Sequence, residues 1–189
     1  MKSLWIEKTI KYDGTQLRSL FAYLQHGVLG DSIVGFRGAC EVTLDHMVDG
    51  EDLLAKSEIR GSDMLHFIVE VFDRPLWGAI AFQRLMAATM MEVLQKNLKD
   101  TNTKTQFTRR GDDIFWNEGK LSISIATRSP NSSVIHFAVN CRNAGTPVKT
   151  AALEDFDLDP KAIAQEFLAR VSKEGAEILE ATQKVKPVP

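Results

Sequence analysis

The strongest constraint in this chain is a run of short apolar strands closed by tight turns in its second half. Thr105–Arg110 with Ile114–Trp116, then Lys120–Thr127, then Ser133–Cys141 all carry strand-like alternation. Asn117-Glu-Gly119 and Ser129-Pro-Asn-Ser132 separate the later runs and are turn sequences. Strands joined this tightly pair antiparallel, because a parallel pair needs a crossover of a dozen or more residues. An antiparallel sheet must then be covered by other elements on at least one face. Those elements can be read upstream and downstream. Asp73 and Pro75 open a long helix to about Lys96, apolar on most of its surface through Ile80, Phe82, Leu85, Met86, Met90, Met91, Val93 and Leu94. Asp159-Pro160 opens a second helix, with Ile163, Phe167, Val171 and Ile178 on one stripe.

The first half supplies more sheet. Trp5–Tyr12 reads as a strand, broken at Asp13-Gly14. Leu17, Leu20, Phe21 and Leu24 repeat at helical spacing and stop near Gly27. Ser32–Thr43 is a strand interrupted by Gly35 and Gly38, which predicts a bulge or a close backbone approach. Asp45–Lys56 is an acidic loop running into a helical turn. Met64–Phe72 is the clearest strand. Leu65, Phe67, Val69 and Val71 take one face, and Met64, His66, Ile68, Glu70 and Phe72 take a mixed face suited to lining a cavity. The fold class is therefore α+β, with a mixed, mainly antiparallel sheet and packed helices. No GxGxxG follows a first strand and no GxxxxGK[ST] occurs, which disfavours a doubly wound nucleotide fold.

Composition narrows the function classes. Of 189 residues, 44% are hydrophobic and 25% charged, which suits one domain over residues 1–189 with a short flexible tail at 184–189. The 23 basic and 25 acidic residues leave a net charge of −2, so there is no general basic field and nucleic acid is not an expected partner. Two cysteines, Cys40 and Cys141, cannot build a disulfide scaffold; each reads as a small buried thiol. No apolar run reaches the roughly 18 residues of a membrane span, and Met1–Lys11 lacks a signal-peptide core. The chain reads as cytoplasmic, with a homodimer through an edge strand as one arrangement.

The segment richest in chemistry is Arg109-Arg-Gly-Asp-Asp-Ile-Phe-Trp-Asn-Glu-Gly-Lys-Leu-Ser-Ile-Ser-Ile-Ala126. A turn delivers Lys120 to the start of a strand whose alternation places Ser122, Ser124 and Ala126 on the same face as the lysine. A small polar strand face leaves room for a ligand, and an ammonium at its rim suits a carboxylate or phosphate. The same lysine also reads simply as leaving a turn into water. His136 lies on the next strand with Val134, Ala138 and Asn140, and that face is expected to meet the Ser122/Ser124 face. Arg37, between Gly35 and Gly38, reads either as an anion clamp or as a surface arginine on a bulged strand. His46, Asp49, Glu51 and Asp52 read as a zinc or magnesium site or as an acidic capping loop. His66 reads as an acid or base or as a bonded core histidine, and Arg84 as a helix-edge residue or a partner of Glu70.

Arg-x-x-Asp-Ile followed by Gly-Lys-Leu-Ser-x-Ser-x-Ala, with Ser-Val-Ile-His-Phe-Ala-Val-Asn140 after it, resembles the catalytic segment of the biotin protein ligase, lipoate ligase and octanoyl transferase superfamily. The resemblance implies that Lys120 contacts the acyl substrate or acyl-adenylate, that Asp113 is the acid of the preceding strand, and that Asn140 ends the following one. Ile-Val-Gly-Phe-Arg-Gly-Ala-Cys40 is the nearest equivalent of that group's nucleotide loop, with Arg37 and Gly38 but no glycine run. Over nearly the whole chain, Phe-Arg-Gly-Ala-Cys, His-Met-Val-Asp-Gly-Glu-Asp52, Met-Leu-His-Phe-Ile-Val-Glu70 and Gln-Arg-Leu85 resemble an uncharacterised family, domain of unknown function 366, with a biotin/lipoate ligase-like and class II synthetase-like fold. Together these readings lead to an acyl- or carboxylate-handling ligase or acyltransferase. Lys120 and Asp113 are its catalytic pair. Arg37, Gly38, Ser122, Ser124, His136 and Asn140 bind a small-molecule carboxylate or nucleotide, with ATP and Mg2+ as cofactors if it adenylates. The alternatives are a non-catalytic small-molecule binding protein on the same fold, which the missing glycine run favours, and a metal-dependent hydrolase at His46 and Asp49.

Overall fold

The computed structural model describes residues 1–98, 107–146 and 148–188. The expected strand start at Thr105 and the last residue of the tail, Pro189, lie outside that range. In chain order the elements are β1 (Lys2–Trp5), α1 (Phe21–His26), β2 (Ser32–Val42), α2 (Gly50–Ala55), β3 (Ile59–Phe72), α3 (Leu76–Asn97), β4 (Phe107–Arg110), β5 (Asp113–Trp116), β6 (Gly119–Lys120), β7 (Ser122–Arg128), β8 (Ser132–Asn140) and α4 (Pro160–Gln183). A five-stranded sheet runs β1-β2-β3-β8-β7, and a small sheet runs β4-β5-β6. Among the strands of the described residues, β1 pairs parallel with β2 and the other pairs in both sheets are antiparallel. The α+β class and the mixed, mainly antiparallel sheet are as the turns and periodicities require.

The central strand β3 is buried from Met64 to Val71 on both faces. Its odd-numbered residues Leu65, Phe67, Val69 and Val71 pack beneath α3 and α4, against Met86, Met90, Leu94, Ile163 and Phe167. Its other face meets the N-terminal segment in a second core of Tyr12, Phe21, Val34, Phe36, Met64, Ile68 and Ala138. Fully burying each large side chain contributes about 1.5–3 kcal/mol, so both faces stabilise the sheet. Helix ends follow local chemistry. Asp159 caps α4 by accepting from the Lys161 and Ala162 amides at 3.2 Å, with Pro160 at the first turn. Gly27 ends α1 in the left-handed region, at φ 71°.

Two sequence expectations shift. The N-terminal strand is Lys2–Trp5 rather than Trp5–Tyr12. Beyond Trp5 the chain still follows β2, since the Ile6, Ile10 and Tyr12 amides donate to the Gly35, Arg37 and Ala39 carbonyls, but too irregularly for a strand. Glu70 does not pair with Arg84. Both its carboxylate oxygens accept the Leu20 amide, at 2.9 and 3.0 Å, and Oε1 also accepts the Ser132 hydroxyl at 2.6 Å. Leu20 adopts a left-handed φ of 60°, and this buried carboxylate holds it there at the start of α1.

The bulge expected in Ser32–Thr43 is present, between Gly38 and Cys40. Its cause is the chain itself: a Cβ on Gly38 would stand 2.0 Å from the Ile10 carbonyl oxygen. Gly38→Ala should therefore cost about 1–3 kcal/mol in urea-monitored stability, whereas Gly50→Ala, with nothing within 4 Å of its Cβ, should leave stability unchanged or slightly raised. Equal stability of the two variants would refute the close-approach argument.

Candidate functional site

The chain changes sheets at Leu121, and this decides where the predicted site residues go. Lys120 ends β6 opposite Phe115 of β5, and Ser122 begins β7 opposite Val139 of β8. Leu121 bridges the two sheets, donating to the Ile114 carbonyl at 2.8 Å and accepting from the Asn140 amide at 3.0 Å. Asn140 pins the crossing, its Nδ2 donating to the Lys120 and Ala151 carbonyls at 3.0 and 3.1 Å. Lys120 and Ser122 therefore do not share one strand face as the alternation predicts. Lys120 Nζ instead meets Asp113 Oδ2 at 2.8 Å. Burial raises the Asp113 pKa, and the bond and charge of Lys120 oppose that rise.

The two serines turn toward the helices. Ser122 Oγ accepts the Ile114 amide at 2.8 Å. Ser124 Oγ donates to Asp112 at 2.7 Å and accepts from Gln83 of α3 at 2.7 Å. Ser122 and Ser124 pair with Val139 and Phe137, whereas His136 pairs with Ile125. Residues paired across an antiparallel ladder project to one face. His136 thus lies on the opposite face from the serine hydroxyls; Ser124 and His136 nevertheless both border one small hollow, and Ser122 does not.

Arg37 is committed elsewhere. Its Nε and Nη2 bond both carboxylate oxygens of Asp63, at 2.8 and 2.6 Å. With the open side of Gly38 filled by the Ile10 carbonyl, this corner does not fit a nucleotide phosphate. Asp49 caps α2, its Oδ1 accepting the Glu51 amide at 2.7 Å and the Asp52 amide at 3.4 Å. His46 Nδ1 donates to the Asp13 carbonyl at 3.0 Å. Among the described residues no three His, Cys, Asp or Glu side chains are grouped to hold a metal. The acidic loop is a capping loop. Both cysteines are buried, and burial pushes each thiol up to about 12.

The structure instead gathers a ring cluster on the face of the sheet away from α3 and α4. His66 Nε2 lies 3.2 Å from the Gly38 carbonyl and His66 Nδ1 lies 3.1 Å from His136 Nε2. Tyr12 stacks on His136 with centroids 3.7 Å apart and rings 16° from parallel. Phe36 lies 5.1 Å from His66. Desolvation lowers the His66 pKa to about 4 and moves that of His136 well below the usual histidine range, with His66 adding to the second effect. Next to this cluster is a hollow of about 50 Å3, bordered by Tyr12, His136, Ile123, Ile125, His46 and Asp49. A larger, mostly apolar cleft of about 260 Å3 lies between α3 and α4, lined by Val71, Phe82, Leu85 and Ile178 with Arg74 and Asp31. None of the predicted site residues lines that cleft. Sequence reasoning missed Tyr12 and Asp63. The shared alternation of His66 and His136 was the one signal of the pair, and it needs the strand register to be read.

With the fold and these contacts in place, comparison with known proteins gives a consistent class. The architecture is that of the biotin protein ligases and lipoate ligase-like proteins. A biotin protein ligase from Aquifex aeolicus in complex with biotin and ATP is 13% identical, with a TM-score of 0.57 over 91% of this chain and 69% of that one. Protein Ta0514 from T. acidophilum with bound lipoic acid is 14% identical, with a TM-score of 0.54 over 94% of this chain and 86% of that one. At such identity the likeness shows the fold alone. The chain belongs to the family Domain of unknown function (DUF366), which it matches over residues 1–186. A protein of unknown function from Pyrococcus horikoshi is 40% identical, with a TM-score of 0.92 and full coverage of both chains. An uncharacterized protein from Methanocaldococcus jannaschii is 31% identical over all of this chain and 86% of that one.

The histidine pair makes stability depend on pH in a definite direction. Folded His66 titrates near 4 against an ordinary 6.5, so between those values the unfolded chain binds the extra proton. Stability is complete above about pH 6.5 and falls as the pH drops toward 4, by up to about 1.4 kcal/mol per pH unit for each buried imidazole. Urea unfolding at pH 7, 6, 5 and 4 measures this slope, and a flat profile across that window would show that the rings are not buried neutral.

Proposed function

We propose that this chain is a small-molecule binding protein on the ligase-like fold, and that its binding site is the hollow beside Tyr12 and His136. The observation that carries the reading is a neutral, fully buried histidine pair ending at a cavity. Buried polar groups are normally satisfied within the fold. A relay that terminates at an open space therefore serves what enters that space. Among the described residues no helix is long and apolar enough to cross a membrane.

The ligase or acyltransferase reading rests on a different place, the Lys120–Asp113 pair. A lysine held by a partly desolvated carboxylate at 2.8 Å is a suitable contact for an acyl carboxylate. That pair borders neither cavity, and the corner at Arg37 and Gly38 is closed to phosphate. The binding reading is therefore the one the geometry supports best.

A thermal-shift screen of small metabolites, including biotin, lipoic acid and ATP with Mg2+, separates the two. A hollow ligand at about 100 times its Kd stabilises by about 2.7 kcal/mol. That gain should vanish in Ile125→Trp, which fills the hollow, and persist in Lys120→Ala. Stabilisation by ATP with Mg2+ that is lost in Lys120→Ala would reverse the assignment in favour of the ligase.

A further inference from the structure

We propose that the hollow takes a small ligand that enters with an N–H or O–H donor first and carries no negative charge at that end, because the buried histidine pair presents it with a fixed acceptor. This rests on the hollow being the binding site. The hydrogen-bond pattern determines which nitrogen carries each proton. The Gly38 carbonyl can only accept, so His66 Nε2 carries the hydrogen in their 3.2 Å contact. A neutral imidazole has one N–H, which leaves His66 Nδ1 as a lone pair. That lone pair faces His136 Nε2 at 3.1 Å, so His136 must donate from Nε2. The remaining nitrogen, His136 Nδ1, is left as a bare lone pair. Among the described residues it has no hydrogen-bond partner, although His136 is only 3% exposed and lines the hollow.

Burial holds both rings neutral near pH 7, since it lowers their affinity for a second proton. The tautomer is therefore set by the backbone at Gly38, at the far end of the relay from the ligand. The other charges around the hollow agree with it. Asp49, Asp52 and His46 line the hollow, and among the described residues no lysine or arginine does. Tyr12 keeps its proton, because burial raises its pKa, and its hydroxyl can give or take a hydrogen bond. A carboxylate or phosphate entering here would meet a lone pair and two acidic side chains. A donor group would satisfy the lone pair and be attracted by the acids. The volume of about 50 Å3 admits a group of about three or four heavy atoms.

Nitrogen-15 NMR of histidine-labelled protein at pH 7 tests this directly. Spectra of His26→Gln and of His46→Gln identify the signals of the two rings outside the relay, and the titrations use the unaltered protein because His46 borders the hollow. Both buried rings should appear neutral and protonated on Nε2. Titration with methylammonium chloride or acetamide should move one Nδ1 signal saturably. Sodium acetate and sodium phosphate should bind at least about tenfold more weakly. A protonated Nδ1 on His136, or saturable binding of acetate or phosphate as tight as that of acetamide, overturns the ligand class while leaving the hollow as a binding site. Silence from all four probes with both rings in the expected tautomer overturns the binding reading itself.

Discussion

The central strand has no face in water from Met64 to Val71, and the rest of the molecule is arranged around that fact. A strand buried on one side can turn its polar residues to solvent, but this one cannot. His66 and Glu70 must therefore find partners inside, at the cost of about 1–3 kcal/mol for each group left unpaired. Glu70 takes the Leu20 amide and the Ser132 hydroxyl, tying α1 and the start of β8 to the sheet. His66 takes the Gly38 carbonyl and His136, tying β2 to β8. The polar residues that look anomalous on an otherwise apolar strand are the ones that fix how its neighbours lie.

The same requirement separates structural from chemical roles among the charged residues. Arg37 and Asp63 satisfy each other in a two-point bond. Asp49 and Asp159 are spent on helix caps. Asn140, Ser122 and Ser124 hold the crossing between the two sheets and its contact with α3. Among the candidate site residues, Lys120 is held in an ion pair with Asp113, and His136 keeps one ring nitrogen with no hydrogen-bond partner among the described residues. The family's fold is shared with ligases, but in this chain Arg37, the arginine at the expected nucleotide loop, is bonded to Asp63.

Much of the fold was legible because it depends on local rules. The late strands and their turns, the long apolar helix, the Asp-Pro helix start and the glycine bulge all follow from periodicity, turn chemistry and backbone freedom. The motif resemblance identified the family and the ligase-like fold from a few segments. The candidate site was less legible. Alternation along residues 120–126 assumes one continuous strand, and the switch of sheets at Leu121 removes that assumption. Tyr12 carried no signal, because its importance comes from lying over His136, 124 positions away along the chain.

The amino-acid sequence by itself determined the element order, the antiparallel pairing of the closing strands and the class of fold, since each rests on periodicity and turn chemistry between residues near in the chain. Only the tertiary structure decided which side chains meet. Strand register, the crossing at Leu121 and the approach of Ile10 to Gly38 are set by packing between distant segments. A one-residue change in any of them sends a side chain to the opposite face of the sheet. That is why His136 stands with Tyr12 and His66 rather than with Ser122 and Ser124.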